Sequence, residues 1–249
     1  MKWLVVLCLL HLAIPFIQGD VNTVKLAQMI QYFDDFVQPK PGAQFAIALA
    51  VSESQCTDEH TDIRAEFSEA DANQVKSLIT NGQTCDLCTP AKNVIAARPN
   101  GTTKEHAEHI LLFPQGSSPM DKLIKSKGSC IVFYSYNSPC VTKCISSDDN
   151  IVPGLSNWIN IRKEKTNVFI FEKIWQKDEW RKDLDKEFLK VNAVVPLYRS
   201  KNVNNVMKSH KCVEKNTEKV IPFCLQDKKS ILSILLRMFT SIFDLQADY

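Results

Sequence analysis

The sequence is poor in the features that mark disordered, membrane-spanning or strongly nucleic-acid-binding proteins. Only 7 of its 249 residues are glycine and 11 are proline, and it contains no long low-complexity tract, which argues against wholesale disorder. Its formal net charge of +2 gives no global attraction to nucleic acid. After the first 19 residues, no apolar run is long enough for a confident membrane span. The sequence therefore predicts one well-packed globular domain with an appended C-terminal segment.

The two ends of the chain differ in character from its middle. Residues 1–19 combine Lys2, a short apolar stretch and Gly19, which predicts a cleaved secretory signal peptide, with an uncleaved anchor as the alternative. Residues 20–200 form the predicted main domain, and residues 201–249 form a tail that contains lysines and cysteines. Within this tail, residues 230–246 predict an apolar helix that docks on the domain, with membrane-surface or partner binding as the alternative.

A secreted protein passes through an oxidising compartment, where thiols tend to pair. Nine cysteines are present, and Cys8 would leave with the signal peptide. If a metal takes two of the remaining eight, six are left for three disulfides. Cys212 and Cys224 could form a local bridge, while Cys85 and Cys88 are expected to staple a loop because no thioredoxin-type helix follows them. The disulfide candidates are Cys56, Cys85, Cys88, Cys130, Cys212 and Cys224.

One further motif agrees with secretion. The triplet Asn100-Gly-Thr102 is an acceptor sequence for N-linked glycosylation. Such acceptors are used on surface loops of secreted proteins, so we expect Asn100 to be exposed and glycosylated.

Apolar periodicity predicts helices and strands that alternate along the middle of the chain. The predicted helices span residues 24–37, 68–79, 106–113, 140–145 and 178–191. The predicted strands span residues 44–52, 93–98, 129–136, 166–175 and 193–198. A helix between the last two strands is long enough for a crossover, so these strands should run parallel, and Pro196 favours a sheet edge. The pattern predicts an α/β fold with helices packed on the faces of one sheet.

Two short motifs follow predicted strands and begin predicted helices. The first is His106-Ala-Glu108, with Thr102 or Thr103 as the expected helix cap. The second is Ser138-Pro-Cys140, followed by Cys144. Zinc at a catalytic site takes three protein ligands and keeps one position for water, and His106, Cys140 and Cys144 supply three such ligands.

The spacing within each motif constrains its geometry. Cys140 and Cys144 are four residues apart, so they share one face of a helix, and its first turn favours their thiolate forms. His106 and Glu108 are two residues apart and can converge only if His106 lies at the start of its helix.

His-Ala-Glu followed by Ser-Pro-Cys and a second cysteine resembles the zinc-dependent cytidine deaminase superfamily. With the predicted signal peptide, the chain is most similar to the secreted novel AID/APOBEC-like deaminases, over residues 45–198 in element order. The resemblance implies a three-layer α-β-α sandwich with a mixed five-stranded sheet, and a Zn²⁺ ion held by His106, Cys140 and Cys144. Glu108 would be the catalytic proton shuttle while water attacks C4 of cytosine, giving uracil and ammonia.

The resemblance also implies substrate contacts at Asn93, Ala107 and Ser138, with Asn100 as an alternative to Asn93. Two departures from the family pattern are visible. The cysteines are spaced Cys-x3-Cys rather than Cys-x2-Cys, and Asn137 stands where many polynucleotide-acting members carry tryptophan.

Two hypotheses about function follow. The first is a secreted deaminase, a hydrolase acting on an amidine C–N bond, whose partner is a cytosine-containing small molecule or exposed nucleic acid, with defence as one setting. The second is a catalytically inactive deaminase-fold binding protein stapled by disulfides. A different interpretation of the motifs makes His106 a surface histidine and places Cys140 and Cys144 in disulfides.

Overall fold

The computed structural model describes residues 21–215 and 217–226. The predicted signal peptide and the predicted C-terminal apolar helix lie outside these residues. The described strands are β1 (Ala46–Val51), β2 (Cys85–Asp86), β3 (Val94–Ala97), β4 (Cys130–Asn137), β5 (Thr166–Lys173), β6 (Leu197–Val203) and β7 (Val206–Lys211). They form one sheet in the order β2-β3-β1-β4-β5-β6-β7. The pairs β4–β5 and β5–β6 are parallel, and the other pairs are antiparallel.

Helices cover both faces of this sheet. They are α1 (Thr23–Phe36), α2 (Ser54–Thr57), α3 (Glu69–Thr80), α4 (Ala107–Leu112), α5 (Pro119–Leu123), α6 (Val152–Ile161), α7 (Leu184–Asn192) and α8 (Pro222–Leu225), with a 3-10 turn at Ile63–Ala65 and a π-helix at Val141–Ile145. Within the described ranges, none of them has the length and apolar character that a membrane crossing requires. The predicted α/β sandwich with helices on both faces is confirmed.

Strand β1 shows how the sheet separates its two helical layers. All six of its residues are buried, and successive side chains point to opposite faces. Ile47, Leu49 and Val51 join the core cluster beneath α1 and α3. The small side chains of Ala46, Ala48 and Ala50 join the cluster that contains α4, α5, α6 and α7. The helix that carries Glu108 therefore packs on the face of β1 that presents only alanine side chains.

The sheet differs from the prediction in size and in its edge. It has seven strands rather than five, because the two-residue β2 and the hairpin strand β7 extend it at either end. The predicted boundary at residue 200 falls inside β6, and strand pairing continues past it. The edge position inferred from Pro196 is wrong, because β6 lies between β5 and β7. Pro196 precedes the strand, where its carbonyl accepts a hydrogen bond from the N–H of Phe169.

The crossovers were only partly predicted. The expected parallel pairing of the last two predicted strands is confirmed in β5 and β6. The helix between them begins at Leu184 rather than at residue 178. Helix α6, which has Pro153 in its first turn, was not predicted.

Three disulfides staple the described chain. They join Cys56 to Cys130, Cys85 to Cys88, and Cys212 to Cys224. Cys140 and Cys144 are the two free cysteines among the described residues, and both are buried. The interpretation that assigned this last pair to disulfides is therefore wrong.

Candidate metal centre and catalytic glutamate

Strand register brings the two motifs to one edge of the sheet. Ala46 of β1 pairs with Ala97 of β3 on one side and with Ser135 of β4 on the other. Since β3 and β4 are both antiparallel to β1, they run in the same direction. Their carboxyl ends therefore lie along the same edge of the sheet, the edge that is formed by strand ends. The segments that follow their carboxyl ends carry His106 and Cys140. In open α/β sheets this edge is where ligands bind.

The first motif forms the start of α4. His106 is the N-cap residue and has an extended backbone conformation, while Glu108 lies in the first helical turn. The change from extended to helical backbone at this point explains how two side chains only two positions apart serve one site. The cap predicted at Thr102 or Thr103 is wrong, but the required position of His106 at the start of the helix is confirmed.

The second motif follows β4 and leads into the π-helix. The N–H of Ser138 donates to the carbonyl of Lys173 at 2.7 Å, which anchors the chain to the end of β5. Cys140 is the N-cap of the π-helix, and the N–H of Ser146 donates to the carbonyl of Val141. This five-residue step is wider than an α-helical turn, and such turns recur at functional sites. The two cysteines span the first turn, in which the N–H of Cys144 donates to the carbonyl of Cys140 at 2.9 Å.

Three side chains converge at this position. The Nδ1 atom of His106 lies 3.0 Å from Sγ of Cys144 and 3.6 Å from Sγ of Cys140, and the two sulfurs are 3.5 Å apart. Tetrahedral zinc with ordinary bond lengths holds such donors about 3.5 to 3.8 Å apart. Histidine, cysteine, aspartate and glutamate are the side chains that commonly bind metals. Among the described residues, these three are the one set of such side chains whose donor atoms lie close enough together to hold one ion. The donor set therefore fits zinc, and two of the three separations match; the third, between His106 and Cys144, is shorter and would widen around a bound ion.

The pKa values of these three side chains are shifted by their contacts with one another. A hydrogen bond between the two sulfurs lowers the pKa of Cys140, and the same bond, together with burial, raises the pKa of Cys144. A hydrogen bond with Cys140 raises the pKa of His106. The lowered pKa favours the thiolate form of Cys140, and the raised values favour protonated Cys144 and His106, whose protons a metal ion would displace, because metal ligands are thiolates and neutral imidazole.

Glu108 lies beside this group and is only 2% exposed. Burial raises the pKa of its carboxyl group, and a hydrogen bond from Ser135 opposes that effect. The hydroxyl of Ser135 donates to Oε1 of Glu108 at 2.5 Å, and Nε2 of Gln44 donates to the same oxygen at 3.0 Å. A buried carboxyl group with a raised pKa and fixed donors is a group suited to proton transfer.

The three expected substrate contacts have different positions. Ala107 lies between His106 and Glu108 and is fully buried. Ser138 is also buried, and its hydroxyl accepts a hydrogen bond from the N–H of Trp175, so it holds the loop after β5. The structure does not bring Asn93 to the cluster. Its carbonyl accepts from the N–H of Ala50, about 13 Å along the strand from the level of Ala46.

Two further residues near the motifs, one aromatic and one histidine, lie outside the metal group. Tyr134 is fully buried in the aromatic core beneath α1. His109 does not belong to the metal group: its Nδ1 atom lies 2.6 Å from a carboxylate oxygen of Glu105, and its ring stacks on Phe113.

Sequence reasoning missed three residues that support the site. Gln44 and Ser135 bind Glu108, and the carboxylate of Asp178 accepts a hydrogen bond from the N–H of Val141 at 2.9 Å. Ser135 was the easiest of the three to predict, because it is a small polar residue in a mostly apolar strand. Nothing in the local sequence marks Gln44 or Asp178.

Comparison with known proteins agrees with this geometry. The profile of the family described as Secreted Novel AID/APOBEC-like Deaminase 1 matches residues 23–228. Neither the curated proteins nor the solved structures include a match to the chain. The matched region covers the whole sheet and both motifs, and it exceeds half of the chain. The protein therefore belongs to the Secreted Novel AID/APOBEC-like Deaminase 1 family.

Proposed function

We propose that this protein is a secreted zinc-dependent deaminase that converts cytosine to uracil in a nucleoside, a nucleotide or single-stranded nucleic acid. The observation that carries the proposal is the buried carboxyl group of Glu108 beside a His/Cys/Cys group that fits zinc. Membership of a deaminase family supports nucleobase chemistry at this position.

Each residue then has a defined role in the reaction. Zinc held by His106, Cys140 and Cys144 would supply water with a pKa far below that of bulk water. Glu108 takes a proton from the attacking water and delivers it to N3 of the ring. It then passes the water's second proton to the amino group, which leaves C4 as ammonia. Water and cytosine give uracil and ammonia, so no oxidant or reductant is needed.

Secretion and glycosylation are part of the same proposal. Three disulfides among the described residues suit an oxidising compartment, and the family description names its members as secreted. Asn100 is exposed, and its side-chain oxygen accepts hydrogen bonds from the N–H groups of Thr102 and Thr103. Protein secreted from eukaryotic cells should lose the mass of one glycan on treatment with peptide N-glycosidase, and the Asn100→Gln variant should not.

A substrate panel tests the catalytic proposal. Zinc-loaded protein is incubated with cytidine, deoxycytidine, their monophosphates, adenosine and a single-stranded oligonucleotide that contains one cytosine, and both ammonia and the changed base are measured. We expect Glu108→Gln to abolish product while the protein stays folded and keeps its zinc. Glu105→Gln, the same change on the other side of His106, should retain activity. If folded, zinc-loaded protein converts none of these substrates, the inactive binding protein is the better hypothesis.

A further inference from the structure

We infer that Gln44 is the positioning residue for the proton shuttle Glu108. This inference rests on the proposed function for its catalytic consequence, but the contacts that support it are independent of any substrate. Gln44 lies immediately before Phe45 and β1, on the side of the sheet where β3 and β4 end and the two motifs follow. Its side chain is half-buried.

The orientation of the Gln44 amide is fixed by a backbone group. Its Oε1 atom accepts a hydrogen bond of 2.8 Å from the N–H of Asn137, at the end of β4. Because a backbone N–H can only donate, the amide oxygen must face Asn137. The amide nitrogen therefore faces the opposite way, toward Glu108 and Ser135, and the amide cannot flip without losing this bond.

This nitrogen faces two neighbouring acceptors. Nε2 of Gln44 lies 3.0 Å from Oε1 of Glu108 and 2.9 Å from the hydroxyl of Ser135. That hydroxyl in turn donates to the same Oε1 atom. The three side chains form a closed triangle of hydrogen bonds. The arrangement leaves little freedom for the carboxylate to rotate.

Convergence on one oxygen has a chemical consequence. Both donors occupy Oε1 of Glu108, so proton transfer is assigned to its second oxygen, Oε2. Gln44 is neutral, and its nitrogen donates without accepting, so the amide orients the carboxylate without competing for the transferred proton. A proton shuttle must be held within a fraction of an ångström of its productive position, and misplacement by about 1 Å can cost about 100-fold in rate.

Gln44 also joins the two motifs. Through Glu108 it contacts α4, and through Asn137 it contacts the strand that leads to Cys140. The amide thus sets the position of the shuttle relative to the thiolate half of the metal centre.

Kinetics of Gln44→Leu and Gln44→Asn provide the first test. On whichever panel substrate is turned over, we expect Gln44→Leu to lower kcat by about 10- to 100-fold, with KM within twofold and the zinc content unchanged. Gln44→Asn keeps the amide but is one methylene shorter, so it should fall between Gln44→Leu and the parent protein. Gln31→Leu is the matched control, because Gln31 also donates to a carboxylate oxygen, that of Asp35 on the exposed side of α1.

A thermodynamic cycle tests the same contact without any turnover. The Tm is measured for Gln44→Leu, for Glu108→Leu and for the double variant. We expect the double variant to lose clearly less than the sum of the two single losses, because each single change leaves the other partner unsatisfied. Additive Tm losses with parent-like kcat would overturn the inference. Non-additive losses in a protein that deaminates nothing would support the role of Gln44 in holding Glu108 and would reject only the proposed function.

Discussion

The Nδ1 atom of His106 lies 3.0 Å from Sγ of Cys144, although 38 positions separate the two residues in the chain. The contact exists because β3 and β4 end at the same edge of the sheet, on either side of β1. His106 supplies the one nitrogen donor of the candidate metal centre, so His106→Ala should abolish tight zinc binding. Zinc measured by plasma mass spectrometry after dialysis should fall from about one ion per chain to a small fraction of that.

A second histidine provides the control for this measurement. The side chain of His60 is 87% exposed, and His60 lies in the loop before the 3-10 turn on the opposite layer. His60→Ala should therefore retain the zinc content of the parent protein. Full retention of zinc by His106→Ala would contradict the assignment of His106 as a ligand.

Asp178 holds the start of the π-helix, next to the candidate metal centre. It is 2% exposed, and its Oδ2 atom accepts a hydrogen bond from the N–H of Val141, the residue after Cys140. Removing a residue that orients the metal-binding residues through a hydrogen bond typically lowers metal affinity by about 10- to 100-fold. We expect Asp178→Ala to weaken zinc binding by that factor in competition with a chromophoric chelator. Asp178→Asn keeps an acceptor oxygen and should lose less.

Asp183 is the matched aspartate for this experiment. It is paired with Arg181 on the surface of the same loop, and its carboxylate does not contact the π-helix. Asp183→Ala should leave zinc affinity unchanged. Equal affinity in Asp178→Ala and the parent protein would show that the π-helix keeps its geometry without this bond.

The disulfides should differ in what they contribute to stability. Cys56 and Cys130 are separated by 74 positions, and Cys212 and Cys224 by 12. In the chain-entropy description, a longer loop restricts the unfolded chain more, which gives about 4.5 kcal/mol for the first bridge and about 3 kcal/mol for the second. Replacing the first pair by serine should therefore lower the free energy of unfolding more than replacing the second pair. Urea unfolding at one pH measures both, and the reverse order would contradict this account.

The sequence predicted the framework of the site more completely than its supports. Strands β1, β4 and β5 were predictable because long apolar or β-branched runs are rare outside buried strands. The convergence of His106, Cys140 and Cys144 was predictable because these residues lie in two short motifs of specific spacing. The pairing of Ala46 with both Ala97 and Ser135, which makes the motifs meet, depends on tertiary register that local sequence does not encode.

Supporting residues escaped prediction for a related reason. Gln44 lies 64 positions from Glu108, and Asp178 lies 37 positions from Val141. Each forms a long-range hydrogen bond from a loop or strand end, where glutamine and aspartate are common and usually solvated. Helix α6 was missed because its proline and glycine reduce its helical signal. Its Gly154 is required by packing, since a Cβ atom there would lie 2.8 Å from Cβ of Leu112 in α4.

A buried acid pair on the opposite face of the sheet should make stability depend on pH. The hydroxyl of Tyr134 lies 3.2 Å from Oδ1 of Asp34 and 3.2 Å from Oε2 of Glu172. Burial, followed by the charge of Glu172, raises the pKa of Asp34 to about 8. In the unfolded chain this carboxyl group titrates near its ordinary value of about 3.9. The folded state therefore binds the proton more tightly, and the associated stability is lost as pH rises toward 8.

The Asp34→Asn variant isolates this effect, because asparagine resembles the protonated acid in shape and is neutral at every pH. Near pH 4, the variant and the parent should have similar free energies of unfolding in urea. Near pH 9 the variant should be the more stable, and the difference should grow between these limits. Asp35→Asn, on the exposed side of the same helix, should show no such divergence. A parent-to-variant difference that stays constant from pH 4 to pH 9 would mean that Asp34 titrates alike in the folded and unfolded chains.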